Sequence, residues 1–265
     1  MWPEENWHSN SQSRSTSKKH VQYWGGGQLP FSQRRTDFDS VWVQTNCIQG
    51  SGETPAGQSR RVELVLKLSE GGRVARLGEC LNNAAFMYEE ENKAQHTRTH
   101  PKNWSGGYRG LEKDRGKQDQ SLSKFKFMLA FENNLCDHYL TEKVWKAYAL
   151  GVVPVVLAGG GAVEALPADD SYINVADYQT VGELREFLHT VANDETLYMR
   201  YFEWKQRPLS ELNPAFQQLW RSQVRRPLRY NATVTTYILT YLLVYVSCAR
   251  KKYPNCVCDY QSCVA

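Results

Sequence analysis

The 265-residue sequence predicts an α/β fold: a Rossmann-like, doubly wound parallel sheet. Three observations carry this. Short runs of β-branched and aromatic residues alternate with amphipathic segments of helical period. One run, VVPVVLA at Val152–Ala158, is almost continuously apolar, as a parallel strand covered on both faces must be. Polar side chains crowd into the segment after another apolar run, where sheets of this kind place their ligands.

The elements follow in order. Residues 1–38 are rich in Ser, Gln, Arg and Gly, with a triple glycine at Gly25–Gly27, and read as a disordered leader. VWVQTN (Val41–Asn46) reads as the first strand. SRRVELVLKLSEGG reads as a helix with Val62, Val65, Leu66 and Leu68 on one side, stopped by Gly71-Gly72. RVARLG (Arg73–Gly78) is the second strand, which completes a β-α-β unit. Residues 88–124 are polar, with eight basic and three acidic side chains over residues 93–124, and read as an exposed loop. KFKFMLAFE is then a strand and TEKVWKAYAL a helix capped by Thr141. After Val152–Ala158, Asp169-Asp170 reads as a turn and SYINV (Ser171–Val175) as a strand. TVGELREFLHTVAND (Thr180–Asp194) is a helix with Val181, Leu184, Leu188 and Val191 on one face, and ETLYMRYFEWK a further helix. The domain organisation expected is a leader over 1–38, a Rossmann-like domain over 39–230 with a polar loop at 88–124, and a C-terminal helix with a Cys-rich tail over 231–265.

Composition excludes several classes. Hydrophobic residues at 41% and charged residues at 23% are those of a globular chain, not a disordered one. A net charge of +4 is too mild to argue for nucleic acid. The longest apolar run, Tyr237–Cys248, is too short to span a bilayer, and the N-terminus has no apolar signal region. Four of the seven cysteines fall from Cys248 onward. Their spacing suits a disulfide-stapled tail better than zinc, and three pairings remain open. Two sequons, at Asn103 and Asn231, fit an oxidising secretory lumen.

The block FENNLCDHYLTEKVWKA holds Glu132, Asn133, Asn134, Asp137, His138, Tyr139, Thr141, Glu142 and Lys143 between a buried strand and a helix. A helix N-terminus there offers free backbone N–H groups and partial positive charge to a diphosphate. Lys143 adds a full charge beside it. Glu142 can accept hydrogen bonds from both hydroxyls of a ribose, and Tyr139 supplies an aromatic surface and a hydroxyl. No Walker or GxGxxG pattern occurs, which disfavours a triphosphatase or a dehydrogenase. The expected ligand is a nucleotide sugar.

This block, continued to FENNLCDHYLTEKVWKAYALGVVPVV, resembles the signature of the α-1,3-fucosyltransferases, glycosyltransferase family ten, in which an aromatic-E-N-S run precedes Y-V-T-E-K and G-x-x-P-V. The lead-in SKFKFMLAFE, the strand YINVADY and the helix carrying Asp194, Tyr198, Tyr201, Trp204 and Lys205 match the family's flanking motifs. The resemblance is firm over about residues 121–207 and weaker over 41–83. It implies the C-terminal, GDP-fucose-binding half of an inverting glycosyltransferase of the GT-B type. It implies that Arg61 contacts the diphosphate, and that Asn133, Tyr139, Glu142 and Lys143 hold the nucleotide and phosphates; Glu132 is assigned to the donor site without a family role. The donor is expected to be GDP-fucose and the acceptor a hydroxyl of N-acetylglucosamine in a glycan, with an α-1,3 linkage. No cofactor is required on this reading, although a divalent metal can stimulate. Neither nucleic acid nor, without an anchor, a membrane is an expected partner. The family's general base belongs to an acceptor domain that precedes the nucleotide domain; here only about 40 residues precede the first strand, so no base is assigned. The resemblance places such enzymes in the Golgi lumen. A second expectation is a shortened chain that binds a GDP-sugar without turnover.

Overall fold

A computed structural model describes residues 28–44, 60–78, 81–84, 115–133, 135 and 137–224. All seven cysteines, both sequons, the apolar run at 237–248 and most of the basic segment lie outside these residues.

Five strands form one wholly parallel sheet in the spatial order β2-β1-β3-β4-β5, where β1 is Ser40–Val43, β2 Val74–Leu77, β3 Phe127–Phe131, β4 Val153–Leu157 and β5 Ile173–Asn174. Helices α1 (Arg61–Leu68), α2 (Arg115–Leu122), α3 (Glu142–Ala149), α4 (Val181–Asn193), α5 (Glu195–Arg200) and α6 (Pro214–Val224) connect and flank it. The expected α/β class is met.

Alternation along the strands sorts side chains into two layers. Phe127, Leu129 and Phe131 of β3 pack with Val65 and Leu68 of α1 and with Leu184, Leu188 and Val191 of α4. Ala130 faces the other way, onto Val144, Trp145 and Tyr148 of α3, with Trp204 and Phe216 beyond. Met128 joins it on that side, with Leu122 of α2 and Ala147 of α3. Both sheet faces are therefore covered, which is why β3 and β4 read as unbroken apolar runs.

The strand order reverses between β1 and β3. From β1 the chain moves to β2 on one side, then returns to place β3 on the other. The two strands share only the pairs Ser40–Phe127 and Val41–Met128, whereas β3 and β4 pair over five residues. Beyond Val41 no register pair joins the two strands, so their carboxyl ends part at the position where doubly wound sheets have a crevice. In doubly wound sheets that crevice is the ligand position.

Four sequence expectations are corrected. Residues 28–38, expected in a disordered leader, are part of the fold. Arg34 is buried and donates to the carbonyls of Phe125 and Gly151, both at 2.7 Å, and of Ser123 at 3.2 Å and Leu29 at 3.3 Å. Phe31 packs on Tyr198 with ring centroids 5.4 Å apart. A polar composition concealed one arginine that ties the ends of several segments. Second, the expected loop at 88–124 contains α2; its surface is almost wholly polar and only Ser121 and Leu122 are buried, so no apolar period marked it. Third, the buried side of α1 is Arg61, Val65 and Leu68, while Leu66 is 43% exposed. The seam at i, i+4, i+7 places an arginine, not a valine, at its first position. The helix expected from ETLYMRYFEWK also ends early, at Arg200, and resumes as a single tight turn over Glu203–Gln206.

Candidate functional site

The crevice is closed from both sides by residues of the two elements that flank it. Arg61, the first residue of α1, follows β1; Asn133 lies two residues past the end of β3. Alternation beyond β3 sends Asn133 towards the α1 layer and Glu132 towards the α3 layer. Arg61 Nη1 donates to Asn133 Oδ1, so a guanidinium from one flank meets an amide from the other above the switch point. Arg61 is 8% exposed. Burial lowers its pKa from the ordinary arginine value, while Glu132, Tyr139 and Glu142 act in the opposite sense. A guanidinium remains charged throughout.

On the α3 side, Glu132 is 1% exposed. Its carboxylate accepts from the Thr141 backbone N–H at 2.6 Å, from Thr141 Oγ1 at 2.7 and 2.8 Å, and from Lys143 Nζ at 3.0 Å. Lys143 Nζ also donates to Thr141 Oγ1 at 2.8 Å and stands 3.6 Å from Glu142 Oε1. Thr141 occupies the N-cap position of α3, as expected, yet its hydroxyl serves Glu132 and Lys143 and makes no capping bond to the helix backbone. Burial works against the Lys143 charge, but Glu132 and Glu142 together outweigh it, so its pKa lies above that of an ordinary lysine. The side chain of Lys143 is 21% exposed and that of Glu142 48%.

A third piece comes from the loop after β4. Gly161 has φ +67°, and His138, at φ +57°, is also left-handed. The His138 backbone N–H donates to Gly160 O at 2.8 Å, and its Nδ1 lies 3.1 Å from Gly161 O. A Cβ at Gly161 would overlap the imidazole, so glycine is needed both for its conformation and for the space. These contacts hold the segment between β3 and α3 against the loop between β4 and the turn at Ala162–Ala165.

The structure thus brings Arg61, Asn133, Glu132, Glu142 and Lys143 together at the carboxyl ends of β1 and β3. Tyr139 is close enough to Arg61 to influence it but is buried, with little ring surface on the cleft. The sequence marks Thr141 only as a cap and gives His138 and Gly161 no role. A three-glycine run directly after a buried strand (Gly159–Gly161) was the available signal for the latter. Among the described residues no group of three or more His, Cys, Asp and Glu gathers as a metal cluster would, and no helix is long and apolar enough to cross a membrane.

Two cations and a helix N-terminus at the switch point of a doubly wound sheet define a class: an α/β protein with a cluster of charged side chains at its strand ends. The chain belongs to glycosyltransferase family 10; the family model described as "Glycosyltransferase family 10 (fucosyltransferase) C-term" matches residues 33–227. It is 32% identical over 165 residues to the Homo sapiens protein named GDP-fucose protein O-fucosyltransferase 3, covering 62% of this chain and 29% of that protein. It is 31% identical over 178 residues to the Gallus gallus protein of the same name, covering 67% of this chain and 32% of that protein. The chain therefore spans about a third of these relatives' length. Among solved structures, an alpha1,3-fucosyltransferase with GDP-fucose aligns at a TM-score of 0.43 and 19% identity, over 80% of this chain and 47% of that one. The same enzyme type with GDP aligns at 0.44 and 18%, over 80% and 46%.

Proposed function

We propose that this chain carries the donor site of a fucosyltransferase that takes L-fucose from GDP-fucose. The observation that carries the reading is the meeting of Arg61 and Asn133 over the parted ends of β1 and β3, with Lys143 in the same charge cluster, in a chain of this family. Arg61 binds the diphosphate through its planar fork and Lys143 through its ammonium. Glu142, half exposed at the first turn of α3, accepts from the ribose hydroxyls, and Asn133 lines the nucleotide, while the buried Tyr139 acts through its influence on Arg61.

In the reaction the acceptor oxygen attacks the fucose C1 from the face opposite GDP. The C1–O bond to the β-phosphate breaks with its electron pair going to the phosphate, and the configuration inverts. Charge grows on the leaving diphosphate, where Arg61, Lys143 and the N–H groups of α3 already lie; these groups lower the barrier by meeting charge that develops. A cationic clamp of this kind performs the task a metal performs in other transferases, so EDTA is expected to leave GDP binding unchanged. The acceptor proton goes to a carboxylate outside the assigned residues.

For the acceptor we favour a protein hydroxyl, because the relatives sharing about 30% of residues are named protein O-fucosyltransferases. A second reading, transfer to N-acetylglucosamine in an α-1,3 linkage, is favoured by the signature over residues 121–207. The Cys-rich tail and the two sequons support a site of action in an oxidising secretory lumen, and the family resemblance supports the Golgi as that lumen. The test is to incubate the full chain with GDP-fucose and, separately, a folded Ser/Thr-bearing domain and an N-acetyllactosamine glycan. Fucose on the protein supports the first acceptor, and fucose on the glycan the second. GDP binding without transfer to either supports a donor-binding module. Lys143→Ala is expected to weaken GDP binding by about 1.5 to 3 kcal/mol, the scale of a charged hydrogen bond, and unchanged affinity by calorimetry would mean the phosphates lie elsewhere.

A further inference from the structure

We propose that Glu132 is a positioning residue, not a donor contact: directly and through Thr141 it holds the Lys143 ammonium charged and in place at the crevice. The inference rests on the donor-site reading above but concerns a residue that touches no ligand.

The hydrogen bonds allow one consistent arrangement of protons. The Thr141 hydroxyl has one proton, and Lys143 Nζ, 2.8 Å away, can only donate to its oxygen. The hydroxyl proton must then go to Glu132, whose two oxygens lie 2.7 and 2.8 Å from Oγ1. The Thr141 backbone N–H, a buried donor without an intrahelical partner at a helix start, donates to Glu132 Oε1 at 2.6 Å. The carboxylate is left with both oxygens occupied and 1% exposure, turned away from solvent. It has no face to offer a ribose or a phosphate.

Lys143 gains what Glu132 spends. Two of its three N–H bonds are committed, to Glu132 Oε2 and Thr141 Oγ1. The third meets no acceptor within hydrogen-bond distance among the described residues, and Glu142 Oε1 stands 3.6 Å away. Lysine side chains lose much rotamer freedom when a phosphate fixes them. Here the side chain is fixed beforehand, so little of that loss remains to oppose binding. The charged groups facing Lys143 are Glu132 from the end of β3, Glu142 from α3 itself and Arg61 from α1; the two carboxylates favour its charge and the guanidinium opposes it.

The experiment uses the full chain and two readouts, one needing no ligand. The first follows the labelling rate of Lys143 by an acylating reagent against pH, by peptide mass spectrometry. The second measures GDP affinity by calorimetry across the same range. In Glu132→Gln, which keeps the shape and loses the charge, labelling of Lys143 should begin at a lower pH than in wild type. GDP affinity should fall about tenfold at pH 7.5 and decline more steeply as pH rises. Thr141→Ser should behave as wild type, and Thr141→Val should follow Glu132→Gln. An unchanged labelling profile in both Glu132→Gln and Thr141→Val overturns the proposal. So does a loss of GDP affinity with an unshifted profile, which would make Glu132 a direct ligand contact. If Glu132→Gln does not fold, by circular dichroism, the Thr141 pair decides alone. Failure of wild type to bind GDP would sink the donor reading, while the labelling profile would still judge the role of Glu132.

Discussion

Lys205 is 8% exposed and lies over the rings of Phe202 and Trp204, at 5.1 and 5.9 Å from their centroids. Burial, with a smaller contribution from Arg34, pushes its pKa down to about 8. The folded state therefore holds this proton less firmly than the unfolded chain, where a lysine titrates near its ordinary value. The unfolded state binds more protons between the two values, so stability rises with pH from about 8 towards 10.5 and is depressed below 8. Lys205→Met should stabilise the fold by about 1 to 3 kcal/mol at pH 7 and remove that rise. Thermal melts at pH 7 and pH 10 check this; a variant less stable at pH 7 would show that the aromatic contacts outweigh burial. At this scale the sequence revealed the site unevenly. Glu132 to Lys143 form one contiguous block, so their polarity stood out at a strand end. The partner they need, Arg61, lies 72 residues from Asn133, and only the family resemblance pointed to it. The direction of Glu132, into the protein, is set by β-strand alternation and the place of α3, which no residue pattern displays.

At the scale of elements, the clamp between the β3–α3 segment and the glycine loop is the feature most open to challenge by mutation. Gly161→Ala introduces a side chain at φ +67° and overlaps the His138 imidazole. It should cost about 1 to 3 kcal/mol of stability and weaken GDP binding, because the displaced segment leads directly into Thr141 and Lys143. Denaturant unfolding and calorimetry on the same sample measure both, and a variant unchanged in both would separate this loop from the site. Elements with strong apolar period were readable: α4 buries Leu184, Leu188 and Val191 as its spacing predicts, and caps on the Thr180 hydroxyl. Those stabilised by a few distant polar contacts were not. Helix α2 is such a case, as is the segment before β1, held by Arg34 across separations of 89 to 117 residues.

For the molecule as a whole, the sheet is not uniform. Five register pairs bind β3 to β4 and four bind β1 to β2, but only two join β1 to β3. The seam that makes room for a ligand is also, like the two-pair edge between β4 and β5, a place where few register pairs resist opening. The pair β1–β2 with α1 should behave as one cooperative unit and β3–β4 with α3 as another, the first exchanging its amide hydrogens at lower free energy. Arg61 belongs to the first unit, Asn133 and Lys143 to the second. A diphosphate bound by both would act as a rivet across the seam, and its binding free energy would be added to the opening of the weaker unit. Hydrogen exchange with and without GDP should therefore show the greatest gain in protection in Val41–Val43 and Val74–Leu77, strands that touch no phosphate; protection confined to the loops at the crevice would mean the two halves are already rigidly joined.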